Sequence, residues 1–243
     1  MCHNFNIIDS DKSEDIGGEM IKAIYFDLFF TLIVPTYEKT NNEYDILNLS
    51  VGEWEQYAEN DILYHERALG FVKTEIEIMD KIMSLIPFEV SEVQKERVLY
   101  AREQRMKNAL KMISKEILDT LQKLKLKDIK LGLISNADCI DCKYWNQSPL
   151  FKYFNDAIFS FNVGLLKPDR QIYELAMHRL NVSPEQCLFV GDGGSNELYG
   201  AKSAGMGTVF SEMLETKNAE QRESIIKYTD YHIKHINDLF NYL

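Results

Sequence analysis

The chain has 243 residues, and its 45% hydrophobic and 12% aromatic content is enough to build a folded core, which argues against a disordered protein. Its formal net charge of −11 argues against a nucleic-acid-binding protein, because phosphate backbones are bound by patches of Lys and Arg. A small phosphorylated molecule stays compatible with this charge, since a metal ion and one or two local cations can neutralise a single phosphate.

The first residues of the chain, 1–19, are polar and acidic and precede the first strand-like segment. They lack the basic and then apolar pattern of a secretory signal. No apolar run in the sequence approaches the ~20 residues of a membrane span. We therefore expect an N-terminal tail over 1–19, a cytoplasmic protein and no membrane partner.

The segment 22–26 is short and apolar, which predicts a buried strand that ends at Asp27. After Pro35 the pattern changes to long amphipathic stretches with apolar residues at helical spacing. These predicted helices cover 48–69, 74–86 and 91–112. No strand-like segment separates them, so we expect an inserted α-helical cap domain over 37–113.

From residue 114 onward, predicted strands and helices alternate. The strands are expected at 130–134, 157–161, 187–190, 208–210 and 231–233, and the helices at 115–126, 170–180, 196–204 and 237–243. Such alternation is typical of α/β proteins with a doubly wound parallel sheet. We therefore predict a Rossmann-like core formed by residues 20–36 and 114–243.

Four polar side chains follow the predicted strands: Asp27, Ser135, Lys167 and Asp192. Ligands of doubly wound sheets bind at the carboxyl ends of the strands. One carboxylate of this set can attack phosphorus, while a hydroxyl and an ammonium hold the phosphate oxygens. A second carboxylate adds the oxygen ligands that Mg²⁺ prefers. The set predicts a site for a phosphate and a divalent metal.

Taken one at a time, these signals have ordinary structural explanations. An Asp after a strand is often a helix cap, and Ser-Asn after a strand is common in turns.

Cys139 and Cys142 have the spacing of a metal or redox motif, but no second Cys pair or His cluster accompanies them. We expect these two cysteines to be reduced thiols.

Taken in order, the four motifs resemble those of the haloacid dehalogenase superfamily. The matching segments are Asp27-Leu28-Phe29-Phe30-Thr31-Leu32, Ile134-Ser135-Asn136, Lys167-Pro168-Asp169 and Val190-Gly191-Asp192 with Glu197. The resemblance extends over almost everything from Met20 onward. The insertion at 37–113 has the position of the small helical caps of this superfamily, between its first and second motifs.

The resemblance implies that Asp27 is a nucleophile that forms an aspartyl-phosphate intermediate. Ser135 and Lys167 are then catalytic residues that also bind the phosphoryl group, and Thr31 and Asn136 contact the substrate. The implied function is that of a hydrolase, a phosphatase or phosphotransferase that acts on a small phosphorylated metabolite.

The resemblance also implies one Mg²⁺ ion. Its expected ligands are the carboxylates of Asp27 and Asp192 and the backbone carbonyl of Phe29. Glu197 is expected to support the ion directly or through a water or a hydrogen bond.

Phe29 departs from the superfamily pattern. Phosphatases of the superfamily usually have a second Asp at this position, which serves as general acid and base. General acid–base catalysis contributes about 10² to 10⁴ in rate, so an enzyme with no substitute acid should be slow on alkyl phosphates. Cap residues that we considered as substitutes are His65, Tyr37, Glu38 and Lys39.

Two other functions remain open. The first is a metal-free 2-haloacid dehalogenase, in which Asp27 attacks carbon; dehalogenases of the superfamily carry a Tyr at the Phe29 position. Asp192 and Glu197 argue against it, because halide displacement needs no metal site. The second is a non-catalytic relative that binds a ligand or a protein through its cap.

Overall fold

The computed structural model describes residues 20–243. The expected tail over 1–19 lies outside the described residues. Within the described chain, no helix combines the length and the apolar composition that a membrane crossing requires.

Six parallel strands form one sheet in the order β3-β2-β1-β4-β5-β6. The strands are β1 Ala23–Phe26, β2 Lys130–Ser135, β3 Asp156–Phe159, β4 Cys187–Gly191, β5 Gly207–Ser211 and β6 Tyr231–Ile233. The predicted parallel sheet is thus confirmed. Strand order reverses between β1 and β4, and a crevice opens at the carboxyl ends of strands at such a switch point.

Eleven α-helices accompany the sheet in the described residues. They are α1 Glu43–Leu47, α2 Val51–Ala58, α3 Asp61–Ala68, α4 Glu75–Leu85, α5 Glu92–Lys111, α6 Lys115–Leu126, α7 Cys139–Cys142, α8 Ser160–Val163, α9 Arg170–Leu180, α10 Glu197–Ser203 and α11 Ala219–Ile226. A 3₁₀ helix, Ile236–Tyr242, ends the chain.

The two faces of the sheet are both covered, so its central strand β1 is buried along its whole length. Alternate side chains of a strand point to opposite faces. Ile24 and Phe26 pack in the cluster that contains residues of α6, and Ala23 and Tyr25 pack in the cluster that contains residues of α9. This burial explains why β1 is a continuous apolar run in the sequence.

Helices α1 to α5 lie between β1 and β2 in the chain and, with their loops, supply all but one of the buried members of a third apolar cluster, including Trp54, Met79 and Val98; the remaining buried member is Ile140 of α7. No sheet strand lies between β1 and β2 in the described chain. This separate cluster is the basis of our proposal that 37–113 form a cap and that 20–36 with 114–243 form the core.

The helix boundaries differ from the sequence prediction in several places. The predicted helix over 48–69 is two helices, α2 and α3, because Asn60 begins a new helix by accepting a hydrogen bond from the Leu63 amide at 3.3 Å. The strand expected to reach residue 161 ends at Phe159, where α8 begins. Helices α1, α7, α8 and α11 were not predicted, and the last predicted helix is a 3₁₀ helix.

Gly132 provides a test of the packing of the sheet. A Cβ atom at this position would lie 2.4 Å from the ring of Tyr25, whose hydroxyl is held by the carbonyl of Ala176 at 3.0 Å. Overpacking of a core costs about 1–3 kcal/mol, so Gly132→Ala should lower the free energy of unfolding by that amount in urea denaturation.

Gly52 is the matched control, because a Cβ atom there meets nothing within 4 Å. It lies in the exposed first turn of α2, where Gly→Ala should raise stability by up to about 1 kcal/mol. Equal stability of the two variants would contradict this packing of β2 on Tyr25.

Candidate active site

Asp27 directly follows β1 and lies at the switch point of the sheet. Its backbone amide donates a hydrogen bond to the carbonyl of Val190 in β4 at 2.9 Å, which fixes the residue between the two central strands. Its side chain is buried, with 5% of the residue exposed. A carboxylate in this position needs a local cation to remain ionised.

Lys167 supplies this cation. Its Nζ donates to Asp27 Oδ1 and to Glu197 Oε2, both at 2.5 Å. Asn136 holds the backbone of Lys167 at both ends, since its Oδ1 accepts from the Lys167 amide at 2.8 Å and its Nδ2 donates to the Lys167 carbonyl at 3.0 Å. Asn136, which was predicted to contact the substrate, therefore also positions the lysine.

Three buried carboxylates meet beside this lysine. Each of Asp27, Asp192 and Glu197 offers an oxygen atom, and these atoms lie within 4.8 Å of one another. Glu197 Oε1 accepts from the Gly193 amide at 3.1 Å, and Asp192 Oδ1 accepts from the Gly194 amide at 3.1 Å. The loop after β4 thus aims both acids at Asp27.

Gly191 makes room for one of these acids. A Cβ atom at this position would lie 2.0 Å from Glu197 Oε1, so any side chain there would displace the carboxylate.

The other oxygen of Asp192 contacts the ammonium group of Lys217, which also binds Glu215. No sequence feature pointed to Lys217, because it follows no motif and lies in a loop.

The charged groups of this cluster shift one another's pKa values. Burial raises the pKa of Asp27 and the neighbouring Asp192 adds to the increase, while Lys167 opposes it. Burial, Asp27 and Asp192 also hold the pKa of Glu197 well above its usual value against the effect of Lys167. Burial alone would lower the pKa of Lys167, but the two carboxylates outweigh it and the pKa of the lysine is raised.

The donor set suits a magnesium ion. Carboxylate oxygens from three side chains converge, and hard divalent cations prefer such oxygen ligands. Three carboxylates against the two ammonium groups of Lys167 and Lys217 leave an excess of negative charge for a cation to neutralise. Phe29 lines the same cavity, as its expected role as a carbonyl ligand requires.

Two predicted phosphate contacts lie deeper in the core. Ser135 is the last residue of β2, and Thr31 lies in the loop after β1. Both are fully buried, and neither hydroxyl has a hydrogen-bond partner in the described part of the chain. Such orphan donors are uncommon in folded proteins and indicate a missing acceptor.

A cavity of about 420 Å³ opens over this cluster. Asp27, Phe29 and Lys167 line it on the core side, and residues from the helices of 37–113 line it on the other. The latter include Tyr37, Tyr64, Arg67, Arg102 and Arg105. The three arginines were not identified from the sequence, because charged residues on amphipathic helices usually face solvent.

Buried ion pairs tie these helices to the loop after β2. Arg67 of α3 and Arg102 of α5 both bind Asp138 Oδ2, at 2.9 and 2.8 Å. Arg102 also binds Asp141 at 2.9 Å, and Arg67 binds Glu59 at 2.5 Å. The cavity is therefore closed by contacts far apart in sequence.

Of the four substitute acids considered from the sequence, Tyr37 lines this cavity. His65 is exposed, and its Nδ1 lies 2.7 Å from the carbonyl of Asp61 in its own helix. Glu38 and Lys39 are exposed and are not among the residues that line the cavity. Tyr64, which does line it, was not considered.

The two closely spaced cysteines are free thiols in the structure. Burial raises the pKa of Cys139 to about 12, and it also raises the pKa of Cys142. Both thiols are therefore protonated at neutral pH, which makes them weak nucleophiles and weak metal ligands.

With this geometry established, comparison with known proteins identifies the family. The profile of the haloacid dehalogenase-like hydrolases matches residues 21–205. The chain belongs to this family of hydrolases, as its four motifs predicted.

Curated relatives include two archaeal proteins named glyceraldehyde 3-phosphate phosphatase. The one from Methanothermobacter thermautotrophicus is 34% identical over 103 residues, which is 40% of this chain and 45% of the relative. The one from Pyrococcus furiosus is 32% identical over 127 residues, 51% of each chain. The chain thus spans about half the length of these relatives.

Solved structures share the fold. A family enzyme from Bacteroides thetaiotaomicron, in complex with magnesium and inorganic phosphate, has a TM-score of 0.63 at 19% identity, with 82% of this chain and 98% of that chain covered. A 2-haloacid dehalogenase from Pseudomonas syringae has a TM-score of 0.61 at 20% identity, with 91% and 97% covered. Since both phosphate-bound and dehalogenase structures match, the fold alone does not select the reaction.

The metal assignment predicts the behaviour of Asp192→Asn. The amide keeps the shape of the side chain but removes the charge, so the dissociation constant for Mg²⁺ in titration calorimetry should rise at least about tenfold while the circular dichroism spectrum is unchanged. The control is Asp119→Asn, which removes one charge from an exposed ion pair with Lys115 in α6. Equal Mg²⁺ affinity of the two variants would refute the assignment.

Proposed function

We propose that the protein is a Mg²⁺-dependent phosphatase or phosphotransferase that acts on a small phosphorylated metabolite through an aspartyl-phosphate on Asp27. The observation that carries the proposal is the buried cluster in which Lys167 binds both Asp27 and Glu197 while Asp192 completes a set of three carboxylates. A cavity of about 420 Å³ above it has room for a small metabolite.

Asp27 is the nucleophile in this proposal. Its oxygen attacks phosphorus as the bond to the leaving oxygen breaks, and water then attacks the aspartyl-phosphate and releases phosphate and the free carboxylate. The ammonium group of Lys167, 2.5 Å from Oδ1, favours the ionised form of Asp27 against the effect of burial and also attracts the phosphate oxygens.

Ser135 and Thr31 are suited to hold the phosphoryl group. Their buried hydroxyls have no partner among the described residues, so phosphate oxygens would supply the acceptors that both lack. Asn136 keeps Lys167 in place through two hydrogen bonds to its backbone. These residues bind the oxygens whose charge grows in the transition state.

Asp27, Asp192, Glu197 and the carbonyl of Phe29 are the proposed magnesium site. A bound Mg²⁺ would screen the charge of the nucleophile from that of the phosphate. Without a cation, three clustered carboxylates would repel an incoming phosphate dianion.

The acidic cluster is also the reason to prefer phosphate over halide chemistry, because displacement of halide from carbon has no need of a metal site. The names of the archaeal relatives favour a small sugar phosphate as substrate. A cytoplasmic location remains a prediction, as does the lack of nucleic-acid partners.

Hydrolysis of p-nitrophenyl phosphate with and without Mg²⁺ tests the proposal. Asp27→Asn should abolish turnover, because a nucleophile has no substitute. Ser135→Ala and Lys167→Ala should retain weak activity, each reduced about 10²- to 10³-fold, because each removes one stabilising contact to the transition state.

The other functions predict different results. Metal-independent release of chloride from 2-chloropropionate would identify a dehalogenase. No turnover of any compound in a panel of phosphorylated metabolites would favour a binding protein. Full activity of Asp27→Asn would exclude the covalent mechanism.

A further inference from the structure

Tyr64 extends from α3 into the cavity above Asp27 and Lys167. Asn136 and Ser195, which belong to the loops after β2 and β4, line the same cavity, and the side chains of both act to lower the pKa of the Tyr64 hydroxyl. Asn136 follows Ser135, the proposed phosphate ligand, and Ser195 lies between Asp192 and Glu197. The phenol group of Tyr64 is thus brought to the loops that form the catalytic cluster.

The loop that carries Ser195 has an unusual backbone. Ser195 and Asn196 have φ angles of 50° and 51°, and Gly193 has a φ angle of 89°. Left-handed conformations are unfavourable for residues other than glycine, and successive ones tend to occur at functional sites. Here the conformation presents Ser195 to the cavity, opposite Tyr64.

The proposed reaction lacks a proton donor at its expected position. Phe29 has no carboxyl group, so the leaving oxygen must receive its proton from another residue or depart as an anion. Among the cap-side carboxylates at the cavity, Glu59 is bound by Arg67 and Glu55 is solvent-exposed. Tyr64 is half-buried and faces core side chains of the site.

We propose that Tyr64 is a catalytic residue that takes over the acid and base roles absent at Phe29, so that this enzyme can hydrolyse phosphate esters of unactivated alcohols. The inference rests on the proposed phosphatase function and specifies its substrate class. The acid is then supplied from α3, a helix of the insertion, to the cavity that Asp27 also lines.

The environment of the phenol fits both roles. Burial raises the pKa of the Tyr64 hydroxyl, which keeps the proton in place before the reaction. The charges of Lys167 and Arg67 and the side chains of Ser195 and Asn136 act in the opposite direction and stabilise a phenolate once it forms. The Arg67 guanidinium lies 5.6 Å from the centre of the Tyr64 ring.

The proton is balanced over the two half-reactions. As the bond between phosphorus and the leaving oxygen breaks, its electron pair moves to that oxygen, which takes the proton of the Tyr64 hydroxyl and departs as an alcohol. The phenolate then accepts a proton from the water that attacks the phosphorus of the aspartyl-phosphate. Asp27 leaves as a carboxylate, and Tyr64 is again a phenol.

The dependence of rate on the leaving group tests this role. We compare kcat/KM for glycerol 3-phosphate, whose alcohol needs a proton, with kcat/KM for p-nitrophenyl phosphate, whose phenol departs without one. Tyr64→Phe should lower the ratio of the two values about 10²-fold or more. In this background Phe29→Asp should restore the ratio at least in part, because it supplies a carboxyl group at the usual position.

Two further variants and a stability measurement serve as controls. Tyr37→Phe and Glu55→Gln each alter another acidic group that lines the cavity, and neither should change the ratio. Thermal unfolding of Tyr64→Phe, Tyr37→Phe and Glu55→Gln should match that of the wild type, since each of these substitutions nearly preserves side-chain volume. A change of the ratio in either control, instead of in Tyr64→Phe, would overturn the assignment.

The remaining outcomes separate this inference from the proposed function. If Tyr64→Phe lowers both rates equally, the hydroxyl only holds the cap closed, and the inference fails while the phosphatase function stands. If Tyr64→Phe changes neither rate, no acid acts there and the inference fails likewise. If the wild type shows no Mg²⁺-dependent turnover of p-nitrophenyl phosphate, the proposed function fails and this inference with it.

Discussion

Burial of the Lys167 ammonium between the carboxylates of Asp27 and Glu197 is the constraint on which the site depends, because each of these ions would be costly alone. All three residues are at most 5% exposed, and removal of such ions from water costs several kcal/mol for each. Close contacts and backbone amides offset that cost, so the loops that carry the ions must be held accurately. The amide of Gly193 on Glu197 and the side chain of Asn136 on Lys167 provide this support.

A second buried ion cluster determines the shape of the cavity. Arg67 and Arg102, from two helices of the insertion, share one carboxylate oxygen of Asp138. Asp138 also accepts hydrogen bonds from the amides of Ile140 and Asp141 at the start of α7, so it is fixed before the arginines bind. These contacts join the insertion to the loop after β2, which begins directly after Ser135, so the end of this strand and the closing ion pairs lie next to each other in the chain.

The sheet and the cluster of charged residues at its edge could both be predicted from the sequence, because both depend on short segments of the chain. A buried parallel strand is a short apolar run, and the residue after it lies at the ligand-binding edge whatever the packing around it. Asp27 and Asp192 could therefore be identified from their strands. The break between α2 and α3 was missed, since apolar residues keep helical spacing on both sides of Asn60 and only its cap separates the two helices.

The sequence by itself determined where the strands fall along the chain and which residues, Asp27, Lys167, Asp192 and Glu197, belong to the cluster at their ends, since each follows a strand or a motif. The tertiary structure decided which distant side chains face them. Lys217 reaches Asp192 across 25 positions, and Tyr64 lines the cavity while the adjacent His65 does not. Successive residues of a helix point about 100° apart, so only the docking of α3 on the core selects which of them enters the site.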